Sequence, residues 1–573
     1  MARLVQKRVR GHAYWYAVES RRVDGKPRVV WQHYLGKTED VIARCTEGPG
    51  AYDAVVYEFG AVAAVLAIAE RLQLEQIVDA HLPPGRQSVG VGRYLLLAAI
   101  NRVVAPKSKR QIGDWYEDTV LRRLWGLPKQ NFTSQRFWQA MDRVDDAALG
   151  RIEEDLARKA SSEFGLSLDG LIYDATNFYT YIATRHDGSL PQRGHNKQKR
   201  NDLKQVNLAL LAAADGHVPL LHEVYPGNVP DSKEFAAITA RLAGRCRALG
   251  AGAVTLVFDK GNNSEENLAL VAREGLHFVG SLVPSQHKDI LAVPLAAYRE
   301  VNAQRWPGLL SHRSVRRVYQ AERVVVATFN PALWEGQMQG LRAQRGRIEA
   351  AMGQLQAKLQ GPPGARRGRK PTVESTQRLV ARLLRGREPG PYLHFTVQPG
   401  PDGSLQLQWH WDDEGLQQMI DRHFGKTLLF SDHPDWTDEQ IVAAYRSQAK
   451  IEDAFKQMKD TQFVNWRPLY HRLDGMIRVH AAYCVFALLL ASLLQRELRR
   501  GGASVGFTAL METLAGIRAV VDVPRDEQQR RSVPVSIRLT RRSAEQERLF
   551  QLLGLSRFHP EVPARKTRTG TTD

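Results

Sequence analysis

The chain has 573 residues, too many for one compact core and enough for three or four domains. Its 80 lysines and arginines against 61 aspartates and glutamates give a formal net charge of +19, so polyanions, nucleic acid first, are the expected partners. Cys45, Cys246 and Cys484 lie far apart, which excludes a disulfide framework and a Cys-x-x-Cys zinc site. The longest apolar run, Ala481 to Leu494, is shorter than the roughly 20 residues of a spanning helix and reads as a buried core helix. No apolar h-region follows the initial Met-Ala-Arg-Leu-Val-Gln-Lys-Arg, so the expectation is a cytoplasmic chain without a membrane partner.

Residues 12 to 35 alternate aromatic and polar around Asp24-Gly25, a hairpin signal, and residues 1–48 are expected to form a small β element. Apolar residues at three- and four-residue spacing through Val62–Leu72, Tyr94–Val103 and Phe137–Leu149 predict an all-helical domain over 50–165. Its cations Lys107, Lys109, Arg110, Arg122, Arg123, Lys129 and Arg136 run between Trp115, Trp125 and Trp138, a composition equally suited to DNA contact or to a solvated surface over an aromatic core. Residues 166–284 read as strand 171–183, strands 206–214 and 217–225 around Asp215-Gly216, helix 232–249, strand 254–258, helix 264–274 and strand 276–283. The order βββαβαβ predicts an α/β fold with a mixed sheet, a ribonuclease-H-like core.

An inserted domain is expected over 285–430, with a charged helix at 340–359, a basic Gly/Pro linker at 361–370 and aromatic strands at 392–398 and 405–411. Trp306 and Trp334 lie within it and could stack a displaced base. The core resumes over 431–500 with a helix from Asp438 to Lys459, capped by Thr437 and Gln440, and then the apolar helix near 476–498. Residues 501–573 form a basic tail, expected to be disordered from about 555.

Three carboxylates carry the chemistry. Asp174 sits inside an apolar strand, where an unpaired charge is costly. Asp259 closes the fourth strand of the core, and the first and fourth strands are neighbours in the expected fold, roughly 4.8 Å apart, so both carboxylates could bridge one divalent cation. Alone, each could be a turn former or helix cap; Asp169 and Asp202 sit in turn-like contexts and rank lower. On the helix, Tyr445, Gln448, Glu452, Lys456 and Lys459 fall within an arc of roughly 80°. The bland alternative is a solvated Glu452–Lys456 pair worth a few tenths of a kcal/mol. His195, His217 and His222 have turn and strand neighbours and do not suggest zinc.

The spacing Tyr445, Gln448, Glu452, Lys459 resembles the Tyr-Arg-Glu-Lys motif of bacterial transposases of the insertion-sequence-four superfamily, with Gln448 where the family has arginine. The resemblance extends to Tyr-Asp-Ala-Thr around Asp174, Gly-His-Asn-Lys-Gln-Lys-Arg-Asn-Asp-Leu-Lys-Gln-Val from Gly194, Phe-Asp-Lys-Gly around Asp259, and Arg467-Pro-Leu-Tyr-His followed by Ile477-Arg-Val-His. It implies a DDE transposase with Asp174, Asp259 and Glu452 as catalytic metal ligands. Two Mg²⁺ ions about 3.5 to 4 Å apart, replaceable by Mn²⁺, would support attack on a phosphodiester by water and then by a DNA 3′-hydroxyl. Transposon ends and target DNA are the implied partners, with a homodimer in the synaptic complex. Phosphate contact is expected from Lys197, Lys199, Arg200 and Lys204 near the first strand, and DNA contact from Tyr445, Gln448, Lys456 and Lys459. Terminal-repeat recognition would fall to residues 50–165. A nuclease without strand transfer and a domesticated DNA-binding protein are the competing readings.

Overall fold

The structure is a computed structural model that describes residues 2–9, 12–23, 26–46, 52–83, 89–168, 170–182, 189–248, 254–360, 371–400, 404–460, 462–467, 469–503, 505–524 and 536–559. The Asp24-Gly25 turn, Asp169 and the basic stretch 361–370 lie outside the described residues. The chain forms two compact units, Met1–Phe164 with Gln457–Asp573, and Gly165–Lys456.

In the first unit, β1 (Ala2–Val9), β2 (His12–Val23) and β3 (Lys26–Lys37) form an antiparallel sheet. The region expected to be all-helical begins with a strand, β4 (Tyr52–Glu58), which pairs with Arg518–Pro524 from the other end of the chain. Helices Gly60–Arg71, Val91–Val104 and Asp146–Phe164 surround helix Asp474–Arg500. That last helix is long and apolar enough to cross a membrane, yet 94% of its most apolar window is buried here. It therefore belongs to this unit and not, as its position in the sequence suggests, to the α/β core. Residues 555–558, expected to be disordered, form a 3-10 turn with Leu555 and Phe558 buried, because these apolar side chains have a core to join; 560–573 lie outside the described residues.

Most of the helical region's cations are engaged internally. Arg122 pairs with Glu117 at 2.9 Å, Lys129 with Asp114 at 3.0 Å, and Arg136 donates to Asn131 at 2.6 Å. Lys109 is half-buried and donates to the Tyr483 hydroxyl. Trp115 is buried and donates to Glu58 at 3.0 Å, whereas Trp138 is half exposed.

The second unit holds a nine-stranded sheet. Its strands are β5 (Gly170–Tyr179), β6 (Gln205–Ala213), β7 (Pro219–Pro226), β8 (Thr255–Val257), β9 (His277–Ser281), β10 (Arg299–Glu300), β11 (Leu310–Val318), β12 (Ala321–Phe329) and β15 (Lys426–Ser431), while β13 (Leu393–Pro399) and β14 (Leu405–Trp411) pair only with each other. The order is β10-β11-β12-β15-β9-β8-β5-β6-β7. Every β6 residue is buried, as a strand covered on both faces requires. The β6–β7 turn reverses through positive φ at Gly216 and His217 rather than at Asp215. Helices Asp231–Ala248 and Glu265–Arg273 connect β7 to β8 and β8 to β9, so β5, β8 and β9 run parallel. Within 285–430, β11 and β12 join this same sheet through β15. The rest, helices Pro331–Gln360, Val373–Leu384 and Asp413–His423 with the β13–β14 hairpin, has its own small cores around Ile348, Met352 and Leu407 and around Leu341 and Leu416.

Buried His480 ties down the long apolar helix. Its Nε2–H donates to the Trp466 carbonyl at 2.7 Å and its Nδ1 accepts from the Tyr483 hydroxyl at 2.5 Å. Burial first, then the Lys109 and Arg102 cations, holds its pKa well below 6.5. His471 is pushed down to about 3 by the same causes. With the folded-state pKa depressed, the unfolded chain takes up these protons first, so stability is fully present above about pH 6.5 and lost below it. Melting temperature measured from about pH 7.5 down to about pH 5 should fall, and His480→Gln should remove one proton's share, about 1.4 kcal/mol per pH unit.

Candidate active site

The parallel ladder fixes the level of the first two carboxylates. Ile172 pairs with Val257, and Val257 with Val279. Two residues further along each strand, on the same faces, come Asp174, Asp259 and Ser281. Val257 and Val279 share a core with Ile441 and Val442 of helix Asp438–Lys459, so this face of the sheet carries that helix. Asp174 is half-buried in a strand otherwise buried from Leu171 to Tyr179, and its Oδ1 accepts from the Ala175 amide at 2.8 Å. Asp259 is exposed, caps the 3-10 turn Lys260–Asn262 and accepts from the Lys260 amide at 2.6 Å. β8 ends at Val257 and β9 at Ser281, whereas β5 continues past Asp174 to Tyr179, paired with β6.

Helix Asp438–Lys459 carries Glu452. Its start is the expected capping box, with Gln440 N donating to Thr437 Oγ1 at 3.2 Å and Thr437 N to Gln440 Oε1 at 2.8 Å. Arg313 anchors the first turn through Asp438 at 3.0 Å. Two turns on, the Tyr445 hydroxyl donates to Ser281 Oγ at 3.0 Å. Burial raises the Tyr445 pKa above 10, the Ser281 bond opposes this, and the charges of Asp259 and Glu452 raise it further. The Tyr445 hydroxyl thus stands in the field of both carboxylates and links the helix to the strand ends. Glu452 itself is exposed. The pair Glu452–Lys456 does not form: Lys456 is bonded to Asp453 at 3.0 Å, one residue round the helix.

The other helix positions divide. Gln448 is 8% exposed, because the face from Tyr445 to Lys459 lies against the fold at its start and emerges only near Glu452 and Lys456. The Arg446 guanidinium lies over Trp306 at 5.2 Å, a ring that also carries Arg305 at 4.5 Å. Trp334 packs on the small core around Leu416 and Phe424. Lys459 falls in the other unit, where its carbonyl accepts from Arg467 at 3.2 Å.

Loop 194–204 reaches the site by a buried amide network. Asn196 donates to Gln205 Oε1 at 2.8 Å and accepts from Gln198 N at 2.8 Å and Arg200 N at 3.3 Å. Asn177, on β5, donates to the His195 carbonyl at 3.0 Å and accepts from Lys197 N at 3.1 Å. Lys197 Nζ donates to the carbonyl of Ala175, the residue after Asp174, at 2.6 Å. Gly194 has no room for a Cβ, which would meet the Gly227 carbonyl oxygen at 2.2 Å. Lys199 is exposed with φ +62°, Lys204 is half-buried, and Arg200 is held by Asp202 at 2.8 Å. His217 and His222 stay in the β6–β7 hairpin. Sequence reasoning missed Ser281, Asn177, Asn196 and Gln205; the signal for Ser281 was a polar residue closing the strand His277–Ser281.

The mixed sheet and the helix packed on it carry Asp174, Asp259 and Glu452 within one unit of the chain. Residues 166–490, more than half of the chain, match the transposase DDE domain family, and the chain belongs to that family. A solved piggyBac transposase synaptic complex with hairpin DNA aligns over 79% of each chain at 9% identity and a TM-score of 0.34. No characterised protein matches in sequence.

Asn196 is 2% exposed and its side chain makes three hydrogen bonds, so Asn196→Ala should cost about 1–3 kcal/mol by leaving Gln205 and two loop amides unpaired. The measurement is chemical denaturation, together with faster proteolysis within 194–204.

Proposed function

We propose that this chain is an insertion-sequence transposase of the insertion-sequence-four superfamily, with a ribonuclease-H-like core that cuts transposon ends and joins them to target DNA. The observation that carries the reading is the common level of Asp174, within β5, and Asp259, just past β8, with Tyr445 in the field of both Asp259 and Glu452. The order β7-β6-β5-β8-β9, three antiparallel strands continued by two parallel ones, supports the core assignment.

The three carboxylates are hard oxygen donors, a set suited to Mg²⁺ or Mn²⁺. Divalent ions bound there would supply Lewis-acid activation of the nucleophile and neutralise charge on the leaving oxygen. Asp174 and Asp259, fixed by the ladder, are the rigid half of the site. Glu452, on an exposed helix turn, is the adjustable half. Tyr445 stays neutral through the physiological range and positions the helix through Ser281. Lys199 and Lys456, both exposed, are proposed to contact phosphate, and Lys197 to orient β5 beside Asp174. Pairing two ends requires a dimer on DNA.

The test is cleavage and strand transfer with DNA carrying the cognate ends. Asp174→Asn, Asp259→Asn and Glu452→Gln should each lower cleavage by more than about 100-fold while DNA affinity and Tm hold. Chelation should abolish cleavage, and Mn²⁺ should restore it. An active Glu452→Gln enzyme overturns the assignment. Binding should weaken steeply with salt, and Lys199→Ala should reduce the slope of log K against log salt by about 1.

A further inference from the structure

A second cluster of metal-binding side chains lies at the opposite end of the same strands. His277 opens β9, and Asp432 and His433 directly follow β15, its antiparallel neighbour. Each offers one ligand atom, all three are partly buried, and the atoms lie within 4.8 Å of one another. His277 Nδ1 and Asp432 Oδ2 are 3.1 Å apart. Two ligands of a tetrahedral ion sit at a similar separation, roughly 3.3 Å, when each metal bond is about 2.0–2.1 Å.

The surroundings fix these groups as outer partners fix metal ligands. Asp432 Oδ1 accepts from the Phe278 amide at 2.8 Å, leaving Oδ2 toward His277. His433 Nε2 is 2.8 Å from Thr255 Oγ1, and its ring stacks on Trp436 with centroids 3.9 Å apart. The rings of His277 and His433 are 4.4 Å apart. Arg323 lies in the field of Asp432 but places its guanidinium over the Phe278 ring at 4.9 Å.

We propose that His277, Asp432 and His433 form a Zn²⁺ site, with water in the fourth position, separate from the three carboxylates. Two imidazoles and one carboxylate are a donor set for zinc, whereas three carboxylates favour magnesium. His277 and Thr255 are level in the ladder, and Asp259 and Ser281 lie four residues further on, about 13 Å along the strands. Bound metal would join the start of β9 to the segment 432–437 that launches the helix carrying Glu452, so its role is to order that segment rather than to react.

Cobalt is the probe, because zinc has no visible absorption of its own. Full-length protein, stripped with chelator and dialysed, is titrated with CoCl₂. One equivalent should produce the visible bands of four-coordinate Co²⁺, and ZnCl₂ should displace it. The same titration should be obtained from a chain carrying Asp174→Asn, Asp259→Asn and Glu452→Gln together. His277→Gln and His433→Gln should each weaken binding by more than about 100-fold, beyond the loss expected for an outer partner. Circular dichroism checks that each variant is folded, and Asp432→Asn replaces one that is not. Absence of the bands in the unmodified chain overturns the proposal, as does their loss in the carboxylate variant with retention in the histidine variants.

Discussion

The parallel pairing of β5 with β8 and of β8 with β9 is the constraint on which the candidate site depends. Backbone hydrogen bonds lock Ile172, Val257 and Val279 into one row, and the two-residue repeat of a strand then carries Asp174, Asp259 and Ser281 to a common level. A slip of one residue would turn each of these side chains to the other face of the sheet. The apolar members of the row bury against Ile441 and Val442, so the interaction that fixes the register also seats the helix. Of the polar members, Asp259 is exposed, Asp174 is half-buried within β5 and Ser281 is buried against Tyr445.

The helix is fixed at one end and exposed at the other. Thr437, Gln440 and Arg313 hold its first turn, and Tyr445 clasps Ser281. Beyond the buried Gln448 the same face reaches solvent at Glu452 and Lys456. The Lys456–Asp453 bond takes up the nearest lysine and leaves Glu452 outside that pair.

Positive charge is used inside the molecule as well as on it. Arg102 is buried and Lys109 half-buried beside Tyr483, Arg496 donates to the Phe164 carbonyl at 2.7 Å, and Arg446 lies over Trp306. Among the described residues, the cations that remain exposed near the carboxylates include Lys199 and Lys456. A net charge of +19 is therefore a statement about the attraction of the whole chain for polyanions and not a map of contacts.

The sequence by itself determined the local elements. The βββαβαβ order, the Thr437–Gln440 cap and the place of Asp174 inside a strand and of Asp259 just after one follow from hydrophobic period and cap chemistry, which act over a few residues. Tertiary structure decided what depends on distant partners. Helix 474–500 joined residues 60–164 because its all-round apolar surface must be buried, and the sequence does not say against what. Strands β11 and β12 extended the core sheet instead of standing apart, since an edge strand takes whichever partner the chain returns to it. Gln448 was placed in the interior, Asp453 rather than Glu452 took Lys456, and His277 met Asp432 and His433 across 155 residues of chain. Each of these outcomes is set by packing between segments remote in sequence, which periodicity within a segment does not encode.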